Sequence, residues 1–168
     1  MKLSFFLASV FIFSSCRNNN VCSRLTVDDN LLDSVKKKSD TSYTKRYRNK
    51  EFVVAEYYIN RKDTIVYQLM KDTTNQIRQV IIAKKDVKLY TAEYYSNGQL
   101  KAHLPLDEAG RVNGEGEFYF ENGCVRSKGS FHHGLYYGEW KNYNETGETA
   151  SRDEYDSNGQ LIKTTPAH

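Results

Sequence analysis

The five residues Ser96-Asn97-Gly98-Gln99-Leu100 recur letter for letter as Ser157-Asn158-Gly159-Gln160-Leu161, and this repeated turn constrains the fold more than any other feature. Between the copies lie Glu121-Asn122-Gly123 and Glu145-Thr146-Gly147, so four turn glycines are spaced 25, 24 and 12 residues apart. Twelve is half of twenty-four, which makes the unit a hairpin of two strands. Asn-Gly accepts positive φ at both central positions, as a type I′ hairpin turn requires. The register extends beyond the turns. Gly123, Ser127, Lys128 and Phe131 map 24 residues on to Gly147, Ser151, Arg152 and Tyr155, and Gly116-Glu117-Phe118 maps 22 residues on to Gly138-Glu139-Trp140. Glycine inside a strand weakens it unless backbone or a ring packs close by. Phe118 and Trp140, two residues after such a glycine, fall on its face of the strand. One hairpin cannot bury its own apolar face, so neighbours must stack.

The first half has the same rhythm without the same letters. Residues 51–59, 64–70, 77–83 and 87–95 are rich in β-branched and aromatic residues and are separated by polar turns. Short runs with no long helical period predict an all-β chain, an elongated antiparallel meander of hairpins. Residues 105–112 break the period and predict a longer loop. Thr26-Val27-Asp28-Asp29 has capping-box character, and Leu31, Leu32 and Val35 fall on one side, so a short N-terminal helix or a disordered tether precedes the body.

Glu117 to Gly123, then Arg126-Ser127-Lys128 and Tyr137-Gly138-Glu139-Trp140, resemble the MORN-variant repeat of proteins labelled YwqK-family antitoxins. The resemblance is clearest over residues 90–163. It implies a sheet of successive hairpins and no catalytic residues.

The N-terminus supplies an address. Met1-Lys2, an apolar run from Leu3 to Phe13, and Ser14-Ser15-Cys16 resemble a bacterial lipoprotein signal. The run is too short for a bilayer-spanning helix, which needs about 20 apolar residues. Three segments follow: a signal peptide at 1–15, a lipidated Cys16 with a tether at 16–42, and a repeat body at 43–165. Membrane lipid attached through Cys16 would anchor the chain, since several acyl chains hold more firmly than one. The expected location is the cell envelope, periplasmic or outer membrane.

Composition excludes several classes. The net charge is +3, too small to imply nucleic acid. Lys36, Lys37, Lys38, Lys45, Arg46, Arg48 and Lys50 face only Asp40, so that stretch is either a solvated linker or a contact with anionic headgroups. With Cys16 assigned to lipid, Cys22 and Cys124 remain. Two free thiols are the expected state, and a bridge is the alternative that an exported compartment permits.

No constellation of catalytic residues stands out, and the chain is expected not to be an enzyme. His132-His133-Gly134 is read as a turn, without the convergent ligands of a metal site. Glu115 and Glu117 share a strand face roughly 7 Å apart, within the carboxylate spacing of inverting glycosidases, but are read as solvent-facing repeat positions. No cofactor fingerprint appears. The aromatic set Phe118, Phe120, Tyr136, Tyr137, Trp140 and Tyr143 is read as cross-strand packing, or as a binding face for a protein or glycan partner. The resulting expectation is a non-enzymatic, lipid-anchored envelope protein that presents a repeat surface. The alternatives are an antitoxin that binds and neutralises a toxin, and an envelope hydrolase.

Overall fold

The computed structural model describes Cys22, Leu25, Thr26, residues 29–47 and residues 54–167. The leader and Cys16 lie outside the described residues. One helix, α1 (Asp29–Lys38), precedes eleven strands: β1 (Thr41–Arg46), β2 (Val54–Asn60), β3 (Ile65–Lys71), β4 (Ile77–Lys84), β5 (Val87–Tyr94), β6 (Leu100–Pro105), β7 (Gly114–Tyr119), β8 (Val125–His132), β9 (Leu135–Tyr143), β10 (Thr149–Tyr155) and β11 (Leu161–Pro166). They form one open antiparallel sheet in strict chain order, the all-β hairpin meander expected from the sequence. The first four strands of the body belong to the same sheet as the clear repeats.

Alternation along the strands decides which face is buried. Tyr67 and Leu69 of β3 lie opposite Ile82 and Val80 of β4, and Val80 lies opposite Ala92 of β5. These residues, with Tyr94, Leu100 and Tyr119, are all less than a tenth exposed. Helix α1 closes this face. Val35 is buried against Tyr67 and Ile82, and Leu32 packs on the neighbouring cluster around Leu69 and Val80. Full burial of one such side chain is worth about 1.5–3 kcal/mol. Lys36, Lys37 and Lys38 in the last helical turn complement the helix dipole. The Ser39 hydroxyl donates to the Val35 carbonyl at 2.7 Å and satisfies one of the last helical acceptors.

The hairpin turns differ from the expected type. At Gly98, Gly123, Gly147 and Gly159 only the glycine has positive φ, between 75° and 89°; the residue before it does not. Each loop is closed by a pair of backbone bonds, as in Tyr95 N–H to Gln99 O at 2.8 Å and Gly98 N–H to Tyr95 O at 3.0 Å. This is a three-residue loop ending in a glycine bulge, not a two-residue type I′ turn. Side chains support this loop in two ways. Asn97 and Asn122 each accept the backbone N–H two residues on, from Gln99 and Cys124, both at 2.9 Å, whereas in the other two loops Asn144 and Asp156 accept the N–H groups two and four residues on. Paired positive φ values occur instead at Lys85-Asp86 (48° and 68°) and His133-Gly134 (52° and 91°). The longer loop expected at 105–112 is present, since eight residues separate β6 from β7, and it closes on a tight turn at its tip. Leu106 bridges Val112, and Asp107 Oδ1 accepts the Ala109 and Arg111 N–H groups at 3.0 and 2.9 Å.

Turns at 72–76, 95–99, 120–124 and 144–148 line one rim of the sheet, and the N-terminal segment is strapped to that rim. Leu100 N–H donates to Leu25 O at 2.6 Å, and Leu25 N–H donates to the buried Gln99 Oε1 at 3.2 Å. Cys22 and Cys124 are joined by a disulfide across 102 residues, which corrects the expectation of two free thiols. The sequence separation hid a contact that the meander makes short: β7 and β8 turn on the rim that the strap crosses. The segment expected to be a tether therefore contains a fastened strap and a packed helix.

Candidate partner-binding face

The repeat glycines build an aromatic cluster on the sheet face away from α1. Gly116 of β7 lies directly opposite Gly129 of β8. A methyl group at Gly129 would sit 2.5 Å from the Trp140 indole, and one at Gly116 would sit 2.9 Å from the Phe131 ring. The missing side chains let the rings lie against the backbone. Trp140 is 2% exposed, and its indole N–H donates to Ser130 O at 3.0 Å. Phe131 meets it edge-on at 4.9 Å, and Phe118 lies 6.1 Å from it. Tyr136 packs 4.6 Å from Trp140 and stacks on Tyr155 at 5.1 Å. Tyr136 remains 40% exposed, so the cluster has a buried base and an open top.

Of the six aromatic residues singled out from the sequence, this cluster unites Phe118, Tyr136 and Trp140. Phe131 and Tyr155 belong to it as well. Their signal was present, because they are equivalent positions one 24-residue repeat apart. Tyr137 and Tyr143 belong to the opposite face. Tyr137 lies 5.7 Å from His132, and the Lys128 ammonium lies 5.8 Å from the Tyr143 ring. Phe120 heads the β7–β8 turn, where its N–H donates to Cys124 O. Beside the cluster, Asn142 donates to Ser151 Oγ at 3.0 Å and Asp153 Oδ2 at 2.7 Å, while the Thr164 hydroxyl donates to Asp153 Oδ1 at 2.8 Å.

The helix-side face continues past α1 as an open trough of about 330 Å³, lined by Glu115, Glu117, Lys128, Ser130, Glu139 and Lys141. Glu117 is the structured member. It contacts His103 Nε2 at 3.3 Å and accepts the Tyr119 hydroxyl at 2.5 Å. These contacts, led by the His103 bond and opposed by burial, hold its carboxyl down to about 2 from 4.5. Burial, reinforced by the Glu117 bond, pushes the Tyr119 hydroxyl up. A carboxylate held ionised in this way is unsuited to donate a proton to a leaving group. Glu117 is therefore not the raised carboxylic acid that glycoside hydrolysis uses.

The depressed value carries a pH prediction. The native state favours ionised Glu117, so its contribution is present above about pH 4.5 and is lost as pH falls toward 2. Glu117→Gln should lower stability at neutral pH and flatten the acid limb in that window. Urea unfolding at stepped pH measures both, and parallel acid limbs would exclude the role.

His133 takes part in turn chemistry. Its Nδ1 lies 3.0 Å from Asp107 Oδ2, and Arg111 contacts the same carboxylate at 3.0 Å. Bonding to His133, then to Arg111, pulls the Asp107 carboxyl well below its ordinary range. Among the described residues, no three His, Cys, Asp or Glu side chains are grouped to hold a metal ion.

No family model matches the chain, and no curated protein is similar to it. Among solved structures, one of accessory secretory protein 1, 2 and 3 in Streptococcus pneumoniae is similar at 15% identity, with a TM-score of 0.39. The match takes in 90% of this chain, which spans 23% of the other. So loose a likeness carries no functional argument.

Proposed function

We propose a non-enzymatic, lipid-anchored protein of the cell envelope that presents its MORN-like sheet to a protein or glycan partner. One observation carries the reading: an aromatic cluster with a buried Trp140 and an open Tyr136 on a sheet face that no helix of the described residues covers. Exposed tyrosines such as Tyr136, held in place by a packed ring beneath, are common anchors of binding surfaces. The Cys22–Cys124 disulfide supports export, because such bonds persist in oxidising compartments. It also argues against an antitoxin working in a reducing cytoplasm.

Two measurements test the reading separately. Palmitate labelling should mark the native chain and not Cys16→Ala; equal labelling removes the anchor. A photo-crosslinker at Tyr155 in intact cells should give one discrete adduct. Tyr136→Ala should abolish that adduct, and Tyr43→Ala, at the far end of the sheet, should preserve it. An adduct insensitive to Tyr136 rules out the aromatic face.

A further inference from the structure

We propose that the α1 end of the rim opposite the strap is an electropositive surface that docks on anionic lipid headgroups. It uses none of the residues of the aromatic face. Three stretches distant in sequence converge there. α1 ends at this rim, where Asp40 N–H donates to Ile59 O at 2.9 Å and Arg61 N–H donates to Asp40 Oδ2 at 2.8 Å. Those bonds set Lys36, Lys37 and Lys38 beside Arg61 and Lys62 of the β2–β3 turn. The β4–β5 turn adjoins it through Lys85 N–H to Thr64 O at 3.2 Å, and adds Lys84, Lys85 and Lys88.

At this end of the rim eight cations thus face three carboxylates, Asp40, Asp63 and Asp86, a local net of +5 in a chain of net +3, whereas the β6–β7 and β10–β11 turns farther along carry Asp107, Glu108, Arg111 and Asp156. The remainder of the chain is net −2, so the charge is polarised in space in a way that composition conceals. Arg61 is the one cation of the eight that is ion-paired among the described residues, with Asp40 at 3.5 Å. Asp63 is engaged by Asn60 at 3.0 and 2.9 Å. All of the eight except Lys84 are exposed.

The chemistry favours a diffuse anionic plane. Seven of the eight are lysines, mobile point charges on long stems, whereas discrete phosphate recognition favours the planar fork of arginine. They sit on a helix end and two turn tips, where they can spread over many headgroups. Each lysine near an anionic leaflet adds to binding, and salt screens the sum.

The test uses the full chain carrying Cys16→Ala, so that no acyl anchor contributes. Vesicles are phosphatidylcholine alone or mixed with phosphatidylglycerol. The parent should sediment with the mixed vesicles only, less so as salt rises. Lys62→Gln/Lys85→Gln/Lys88→Gln should weaken binding about 100-fold, and Lys36→Gln/Lys37→Gln/Lys38→Gln should weaken it similarly. Arg152→Gln/Lys163→Gln, on the last two strands, should bind like the parent. Equal binding to neutral vesicles, parent-like binding by both triple variants, or tighter binding to a soluble anionic polysaccharide than to vesicles would each overturn the proposal. None of these readouts depends on lipidation at Cys16, so this idea and the anchor fail independently.

Discussion

Trp140→Ala should destabilise the sheet by about 3–5 kcal/mol, the range for removing a buried tryptophan. The loss has three sources. The indole is almost wholly buried, its N–H holds the Ser130 carbonyl, and its ring supports Phe118, Phe131 and Tyr136. Gly129 makes the prediction specific. Gly129→Ala places a methyl 2.5 Å from the indole and should cost about 1–3 kcal/mol through overpacking. In the Trp140→Ala background the same methyl enters vacated space, and its penalty should largely disappear. Denaturant unfolding of the four chains measures the coupling. Additive losses would show that the glycine is not there to admit the ring. Tyr136 should also lose its support, so the crosslink at Tyr155 should weaken in Trp140→Ala even below its unfolding midpoint.

The turn glycines and the strand alternation were legible in the sequence because both are local. An Asn-Gly pair restricts backbone angles wherever it occurs, and a period of two marks a strand face. What the Asn side chain does was less legible. Asn97 and Asn122 cap their loops from within, while Asn144 and Asp156 cap theirs from the first residue, and all four form the same three-residue loop with a bulge in place of the expected two-residue turn. Identical letters also have different fates. Gln99 is buried and holds the strap, whereas Gln160, in the same five-residue motif, is exposed. The motif fixes the turn; the strap that passes one copy and not the other decides the burial.

The aromatic face was half legible for a similar reason. Offsets of 22 and 24 residues aligned the glycines with their rings, and from them Phe118 and Trp140 fall on one face. Gly138 has a positive φ of 65°, and between Lys128 and Ser130 the pairing of β8 with β9 skips residues. Such a bulge re-aims its strand, yet alternation back from Trp140 still places Tyr136 on its face and Tyr137 on the other; what alternation could not supply was which face α1 covers. The Glu117 contacts with His103 and Tyr119 join two strands whose pairing register cannot be read from turn spacing.

Reduction of Cys22–Cys124 should cost about 4 kcal/mol, close to the largest single loss expected in this chain. The closed loop spans 102 residues, and constraining so long a loop in the unfolded chain is worth up to about 4.7 kcal/mol in the chain-entropy account. The native consequence should be local. Once cut, the strap retains the Leu25 bonds to Gln99 and Leu100, while α1 stays docked through Val35 and through Asp40 at the far rim. Guanidinium unfolding should therefore show a lower midpoint in reductant, with helix and strand signals intact at zero denaturant. Cys22→Ser/Cys124→Ser should match the reduced chain and be indifferent to reductant. Adding Gln99→Ala should then free Leu25 and expose the strap to protease while the sheet persists. A native chain indifferent to reductant would mean the two cysteines are not joined, and both the strap and the support it lends to export would go with them.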